Sequence, residues 1–236
     1  MLLLTGLVLG FAGLAASALG IARQFMPRTF TPAERGRIIA WDAAKRWRTW
    51  PAGQIFPSAV GYHLPGAAFG GGASLSFTAN RVGIAPQARC RAAMEHEAGA
   101  VLARHGCLAV LRATYDDPTR TLAVTVGVAV LPGAGAVAAS ARLLPRGGGV
   151  RAVPFPHTPV ALFRGSRGQI SWQLAAGPYL VLATVGYADG RPWLASGNDS
   201  YTRAEMLSLA AGVGRWVASH LGAPPPPPRC PGAPAC

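Results

Sequence analysis

The stretch Cys107–Leu131, CLAVLRATYDDPTRTLAVTVGVAVL, contains two apolar runs rich in β-formers, Cys107–Tyr115 and Thr121–Leu131. Between them lies Asp116-Asp117-Pro118-Thr119-Arg120, a cluster of turn-forming residues. Apolar runs on both sides of such a cluster predict a β-hairpin. A second hairpin is predicted further on. Gln169–Ala175 alternates, Tyr179–Tyr187 is apolar, and Gly177-Pro178 separates them. Adjacent hairpins imply a mainly antiparallel sheet.

Helical segments surround these strands. Thr31-Pro32-Ala33-Glu34 has the residues of a capping box, with Thr31 as N-cap, Pro32 at the first helical position and Glu34 at the third. That helix is expected to run to about Trp47 and to stop before Trp50-Pro51. Ile55–Leu64 reads as extended, Gly70-Gly71-Gly72 as a turn, and Ser74–Ala79 as a short strand. Ala134–Leu144 is expected to be a short helix, ended by Pro145. Val150–Phe155 reads as a further strand. Thr202 and Glu205 repeat the capping-box spacing and open a last helix bearing Met206, Leu207, Leu209, Ala210, Val213, Trp216 and Val217. The fold class that follows is α+β: a mainly antiparallel sheet built from two hairpins, with helices on one face, preceded by one transmembrane helix.

The transmembrane expectation rests on the first 22 residues, which carry no charged side chain before Arg23. About 20 apolar residues suffice to cross a bilayer. Ala16-Ser17-Ala18 also fits a signal-peptide cleavage site, although no basic residues precede the apolar run. The organisation expected is an anchor or signal peptide over 1–25 and a basic juxtamembrane amphipathic helix over 26–49. An α+β domain over 50–221 and a Pro-rich disordered tail over 222–236 follow. The helix over 26–49 has two readings, one lying on headgroups and one docked on its own domain.

Which side of a membrane the domain occupies is contested within the sequence. Arg23, Arg28, Arg35, Arg37, Lys45, Arg46 and Arg48 all follow the apolar run, and basic residues favour the cytoplasmic side. The four cysteines argue the other way. They form no zinc-type CxxC, and paired cysteines belong to oxidising compartments. Long domains also cross largely regardless of charge. The expectation is an extracytoplasmic domain.

The formal net charge is +13 over 236 residues, with 30 Gly and 21 Pro. Arg outnumbers Lys 21 to one, a ratio that looks like coding bias. The charge suits a solvated surface, or attraction to anionic lipid or wall polymer. No basic stripe interleaved with aromatics and no recognition motif is present, so nucleic acid is not expected as a partner.

Cys90–Cys107, CRAAMEHEAGAVLARHGC, is the candidate site in the sequence. A zinc-binding helix needs histidines four residues apart, but His96 is followed at position 100 by Ala. The next histidine, His105, is nine residues on and half a turn round the helix. Met94, Ala98, Val101, Leu102 and His105 have core-helix spacing, with Cys90 on the same face. As one straight helix the stretch would hold Cys90 and Cys107 about 26 Å apart, whereas a disulfide needs Cα atoms within roughly 7 Å. Gly99 offers a break and Gly106 a terminator. A Cys90–Cys107 bridge, two buried thiols and a bond to the tail all remain open. Cys230 and Cys236 can close a local loop, link chains or stay free.

Arg104–Val130 resembles a segment of uncharacterised, membrane-anchored extracytoplasmic proteins of actinobacteria. The resemblance lies in Gly106-Cys107, in Arg112-Ala113-Thr114-Tyr115 and in the run Val124–Ala129. It implies location and architecture, and no chemistry.

No catalytic constellation is legible. Only nine carboxylates exist, and most read as caps or turns; Asp116-Asp117, the one adjacent Asp pair, fits a hairpin turn. Calcium would need more oxygen ligands at regular spacing. There is no GxSxG elbow, and Gly165-Ser166-Arg167-Gly168 reads as a loop. His63, His157 and His220 are isolated. The chain is therefore expected to be a non-enzymatic, single-pass membrane protein that binds, senses or supports an envelope component, with no cofactor and no metal. An envelope hydrolase with an unrecognised site, and a cytoplasmic-facing basic domain on lipid or nucleic acid, are the alternatives.

Overall fold

The structure, a computed structural model, describes residues 30–145, 148–164, 170–192 and 200–224. Ala40–Pro224 form one compact unit, and the described residues before Ala40 belong to another. The expected anchor over 1–25, most of the tail with Cys230 and Cys236, and the Gly165–Gly168 loop lie outside the described residues. Among the described residues, no helix is long and apolar enough to cross a membrane.

Helix α1 spans Pro32–Thr49. The expected capping box forms: the Thr31 amide donates to Glu34 Oε2 at 2.9 Å, and the Glu34 amide donates to Thr31 Oγ1 at 3.3 Å. A single turn, α2, Ala52–Ile55, leads into the sheet. Six strands follow: β1 Ala59–Leu64, β2 Leu75–Ala88, β3 Ala109–Asp116, β4 Leu122–Val130, β5 Ile170–Ala176 and β6 Tyr179–Tyr187. They form one antiparallel sheet in the order β1-β2-β3-β4-β6-β5. Both expected hairpins, β3–β4 and β5–β6, are present. β2 is much longer than the short strand expected from Ser74–Ala79. It continues past Pro86 through two register shifts, between Arg81 and Gly83 and between Ala85 and Ala88. Proline removes a ladder donor, so its presence makes the second half of β2 look like loop in the sequence.

The last helix, α6, spans Ser200–Gly222. It starts two residues before the expected cap at Thr202, and no Thr202–Glu205 capping bond forms. Met206, Leu209, Ala210, Val213 and Val217 are buried, and Leu207 and Trp216 pack at the edge of the same core. α6 packs against β6 and against both edge strands, β1 and β5, so the sheet curls around it. Two glycines inside the helix permit this. A Cβ on Gly212 would lie 2.4 Å from Tyr62 Cβ of β1, and one on Gly214 would lie 2.2 Å from the Trp172 ring of β5. Two residues turn an α-helix by about 200°, so the edge strands close on it from opposite sides.

The other face of the sheet is also covered, which corrects the expectation of helices on one face only. Three helices lie there: α3 Cys90–Ala93, α4 His96–Arg104 and α5 Ala134–Leu143. Their core contains Cys90, Ala93, Met94, Ala98, Leu102 and Val137, packed on Val110, Ala129, Leu180 and Leu182 of the sheet. Successive residues of a strand point to opposite faces. β4 and all of β6 except Tyr187 are buried residue after residue, as strands covered on both faces must be. On β4 the second face carries the small residues Ala123, Thr125, Gly127 and Ala129, so the covering layer comes close.

Part of that layer has no regular structure. Val150–Phe155 was expected to be a strand, but only Val150 makes a bridge, to Met94. The segment is a strap that runs across the strands instead of along one. Thr184 Oγ1 of β6 donates to the Val150 carbonyl at 2.7 Å. The Val153 amide donates to Thr125 Oγ1 of β4 at 3.0 Å, and Thr114 Oγ1 of β3 donates to the Val153 carbonyl at 2.8 Å. Thr114, Thr125 and Thr184 are direct cross-strand neighbours. A row of threonines therefore supplies hydrogen bonds that a strand ladder would otherwise provide.

Candidate functional site

The strap and the α3–α4 joint form the walls of an open cleft. Its position follows from how Cys90–Cys107 folds. The stretch is two helices, broken at Met94-Glu95 and not at Gly99. Met94 is extended and pairs with Val150; the Glu95 amide donates to the Gly149 carbonyl at 3.0 Å, and the Arg151 amide donates to the Ala93 carbonyl at 2.9 Å. Gly99 stays helical and serves as a contact: a Cβ there would lie 3.0 Å from Arg91 Cα. α3 and α4 thus fold back on each other, and Gly106 at φ +77° turns the chain into β3. Cys90 and Cys107 are joined by a disulfide across a Cα separation of 6.2 Å. Of the three readings left open by the sequence, the bridge is the one observed. It ties α3 to the residues entering β3.

The cleft has a volume of about 290 Å³ and is lined by Glu95, Arg151, Ala152, Pro154, Phe163 and Arg164. Arg151 is anchored by its Nε, which donates to the Met94 carbonyl at 2.9 Å. Arg112 of β3 is not among the residues lining the cleft. Ala113 and Tyr115 face α6, so Arg112 faces the strap. Arg112 is opposite Gly127 in the sheet, and Val150, the residue before Arg151, packs on Gly127. Arg112 Nε is buried and has no hydrogen-bond partner. Burial, and then the nearby charge of Arg151, lower the pKa of Arg112. Neither Arg112 nor Arg151 forms an ion pair with Glu95.

A second polar group lies where β1, the β3–β4 turn and the start of α6 meet. Asp117 is the keystone of the turn: Oδ1 accepts from the Leu122 amide at 2.6 Å, and Oδ2 accepts from the Thr119 amide at 2.9 Å and from the Thr119 hydroxyl. The turn reading therefore holds for Asp117, whereas Asp116 ends β3, paired with Ala123. Glu205 has its pKa raised by burial first and by Asp117 second. Tyr62 Oη is buried without a hydrogen-bond partner, and burial raises its pKa strongly, with smaller contributions from Asp117 and Glu205. Asp116 is raised as well, chiefly by burial.

Among the described side chains, His63, His157 and His220 do not converge. His63 Nδ1 lies 3.0 Å from Ser76 Oγ on the exposed surface. His220 stacks on Trp216 with ring centroids 4.1 Å apart. His157 is exposed in a turn at φ +61° and makes no side-chain hydrogen bond. Among the described residues, no group of three or more His, Cys, Asp or Glu side chains is placed to hold a metal ion. Sequence reasoning missed Arg151 and Arg164 as cleft residues. In a chain with 21 arginines nothing in the sequence marks these two.

Compared with known proteins, the chain matches no family model, no curated sequence and no solved structure.

Proposed function

We propose that the chain is a single-pass membrane protein whose domain lies outside the cytoplasmic membrane and binds an envelope ligand without transforming it. The observation that carries the location is the Cys90–Cys107 disulfide, since such bonds persist in oxidising compartments and are reduced in the cytosol. The likeness of Arg104–Val130 to membrane-anchored extracytoplasmic proteins favours the same side. The cleft supports a binding role. Its polar groups are guanidinium ions and one carboxylate, with no hydroxyl or thiol nucleophile beside a base among its lining residues.

The experiment is cysteine labelling on intact cells with a membrane-impermeant maleimide, with and without prior reduction, and each cysteine read by peptide mass. The expected outcome is that Cys90 and Cys107 label only after reduction, without lysis. Labelling that requires lysis and needs no reductant would overturn the location. Specific hydrolase activity of the purified protein, abolished by replacing one histidine, would overturn the non-catalytic role.

A further inference from the structure

One face of the second half of α1 is committed to its own domain: Ala43 and Arg46 are buried, and Trp47 packs against the core. The opposite face is exposed. An α-helix turns by about 100° per residue, so Lys45 and Arg48 fall within about 40° of Trp41, whereas Ala43 and Arg46 fall on the far side. Trp41 is 62% exposed. Trp47, Trp50, Trp172 and Trp216 are partly buried against the core, so this exposure sets Trp41 apart among the described tryptophans. Lys45 Nζ lies 3.3 Å from the centre of the Trp41 ring. Lys45 and Arg48 are exposed, and neither forms an ion pair among the described residues. Asp42, the one carboxylate between Ala40 and Thr49, is taken by Arg46. The face therefore presents unpaired positive charge around an uncovered indole.

We infer that this face, Trp41 with Lys45 and Arg48, rests on the headgroups of an anionic lipid bilayer. Charge complementarity selects the partner, since basic residues close to a membrane are drawn to anionic lipid. The indole selects a bilayer over a purely polar polyanion. Its apolar body gains from leaving water, and its N–H finds acceptors among headgroup oxygens, which is why tryptophan collects at membrane–water interfaces. The inference rests on the single-pass reading. The uncharged run ends at Ala22 and α1 begins at Pro32. Nine intervening residues reach at most about 30 Å, so a span over that run keeps the start of α1 near the surface. The two readings of the basic helix then describe its two faces, one docked on the domain and one on lipid.

The test uses the full-length, oxidised protein mixed into vesicles of phosphatidylcholine alone or of phosphatidylcholine with phosphatidylglycerol. Both carry lipid brominated near the top of its acyl chains, which quenches tryptophan on contact. The difference between wild type and Trp41→Phe isolates the signal of Trp41, and flotation on a density gradient reports anchoring. Trp41 is expected to be quenched in the anionic vesicles. Lys45→Gln/Arg48→Gln should lower the lipid-bound population of this face by about 25-fold, since each basic residue near an anionic surface is worth about fivefold. All three residues are exposed, so these replacements leave the core intact. Equal quenching of wild type and Trp41→Phe, equal quenching of Trp41 in the two lipids, or quenching unchanged in Lys45→Gln/Arg48→Gln would each overturn the inference. If the protein floats with neutral vesicles while Trp41 stays unquenched in anionic ones, the headgroup contact falls and the membrane span stands. If it floats only with anionic vesicles, and only with Lys45 and Arg48 in place, the span falls and the headgroup contact stands.

Discussion

Thr114 Oγ1 lies 2.8 Å from Thr125 Oγ1, and both side chains are fully buried between the sheet and the strap. The hydrogen positions follow from the partners. Thr114 donates to the Val153 carbonyl, and Thr125 accepts from the Val153 amide, so Thr125 must donate to Thr114. The three bonds close a ring through one strap residue. Thr125→Val keeps the shape and leaves the Val153 amide unpaired. A buried unsatisfied group costs about 1–3 kcal/mol, and that loss is expected in urea denaturation. Thr114→Val should cost a similar amount, and the double variant less than the sum, because both act on one ring.

Arg46 of α1 is a buried charge with a structural task. Its Nε and Nη2 pair with Asp42 Oδ2 at 2.9 and 2.7 Å, and its Nη1 donates to the carbonyls of Leu221, at 2.8 Å, and Ala223. The last carbonyls of a helix lack partners in the helix and carry negative potential. Arg46 thereby caps α6 and docks the second half of α1, with Trp47 and Trp50 packed against the same core. Arg46→Met should cost about 1.5–3 kcal/mol, the usual loss when hydrogen bonds from a charged group are removed. Asp42→Asn should cost much less, because Asp42 is 40% exposed and exposed pairs contribute about 0–1 kcal/mol. Thermal unfolding of both variants checks the ranking.

The disulfide closes a loop with a sequence separation of 17. Constraining a loop of that length in the unfolded chain stabilises the fold by about 3 kcal/mol. The variant Cys90→Ala/Cys107→Ala should lose about that amount. Reduced wild type should match it, and reductant should leave the variant's thermal midpoint unchanged. The opening should be local to α3 and α4, with amide hydrogen exchange rising there before it rises in β4 or β6.

Glu205 makes stability depend on pH with a definite sign. Burial, then Asp117, raise its pKa above the usual carboxylate range, so the folded state holds the proton more tightly than the unfolded chain. The stabilisation is complete below the ordinary glutamate pKa and is lost as pH rises through the raised folded value. At neutral pH the ionised carboxylate opposes folding. Glu205→Gln should therefore be more stable than wild type at pH 7, with the difference vanishing toward pH 4. Denaturation midpoints across that range read it directly. A wild type more stable than the variant at pH 7 would contradict the assignment.

The elements legible in the sequence were those held by local chemistry. The β3–β4 turn at Asp117 and the cap at Thr31 and Glu34 are made by residues a few positions apart, and both form as expected. The buried face of α4, Ala98, Val101 and Leu102, was also legible from its period, whereas Met94, expected on the same helix, is extended at the break and His105 lies past the helix end. What misled were residues whose role depends on a distant partner. Val150–Phe155 has the composition of a strand, yet Thr114, Thr125 and Thr184 take its backbone bonds. Gly212 and Gly214 look like composition bias until Tyr62 and Trp172 are seen against them. Gly99 looks like a helix break, and is a contact with Arg91.

By itself the sequence determined the antiparallel hairpins, most helix limits and the scarcity of groups that do acid–base chemistry, because turns, caps and periodicity act over a few residues. Only the tertiary structure decided that the sheet is covered on both faces and that Cys90 meets Cys107. It alone set the strap across Thr114, Thr125 and Thr184. Each of these is a contact between residues far apart in the chain. Such contacts are selected by the packing of whole layers, and no local pattern encodes them.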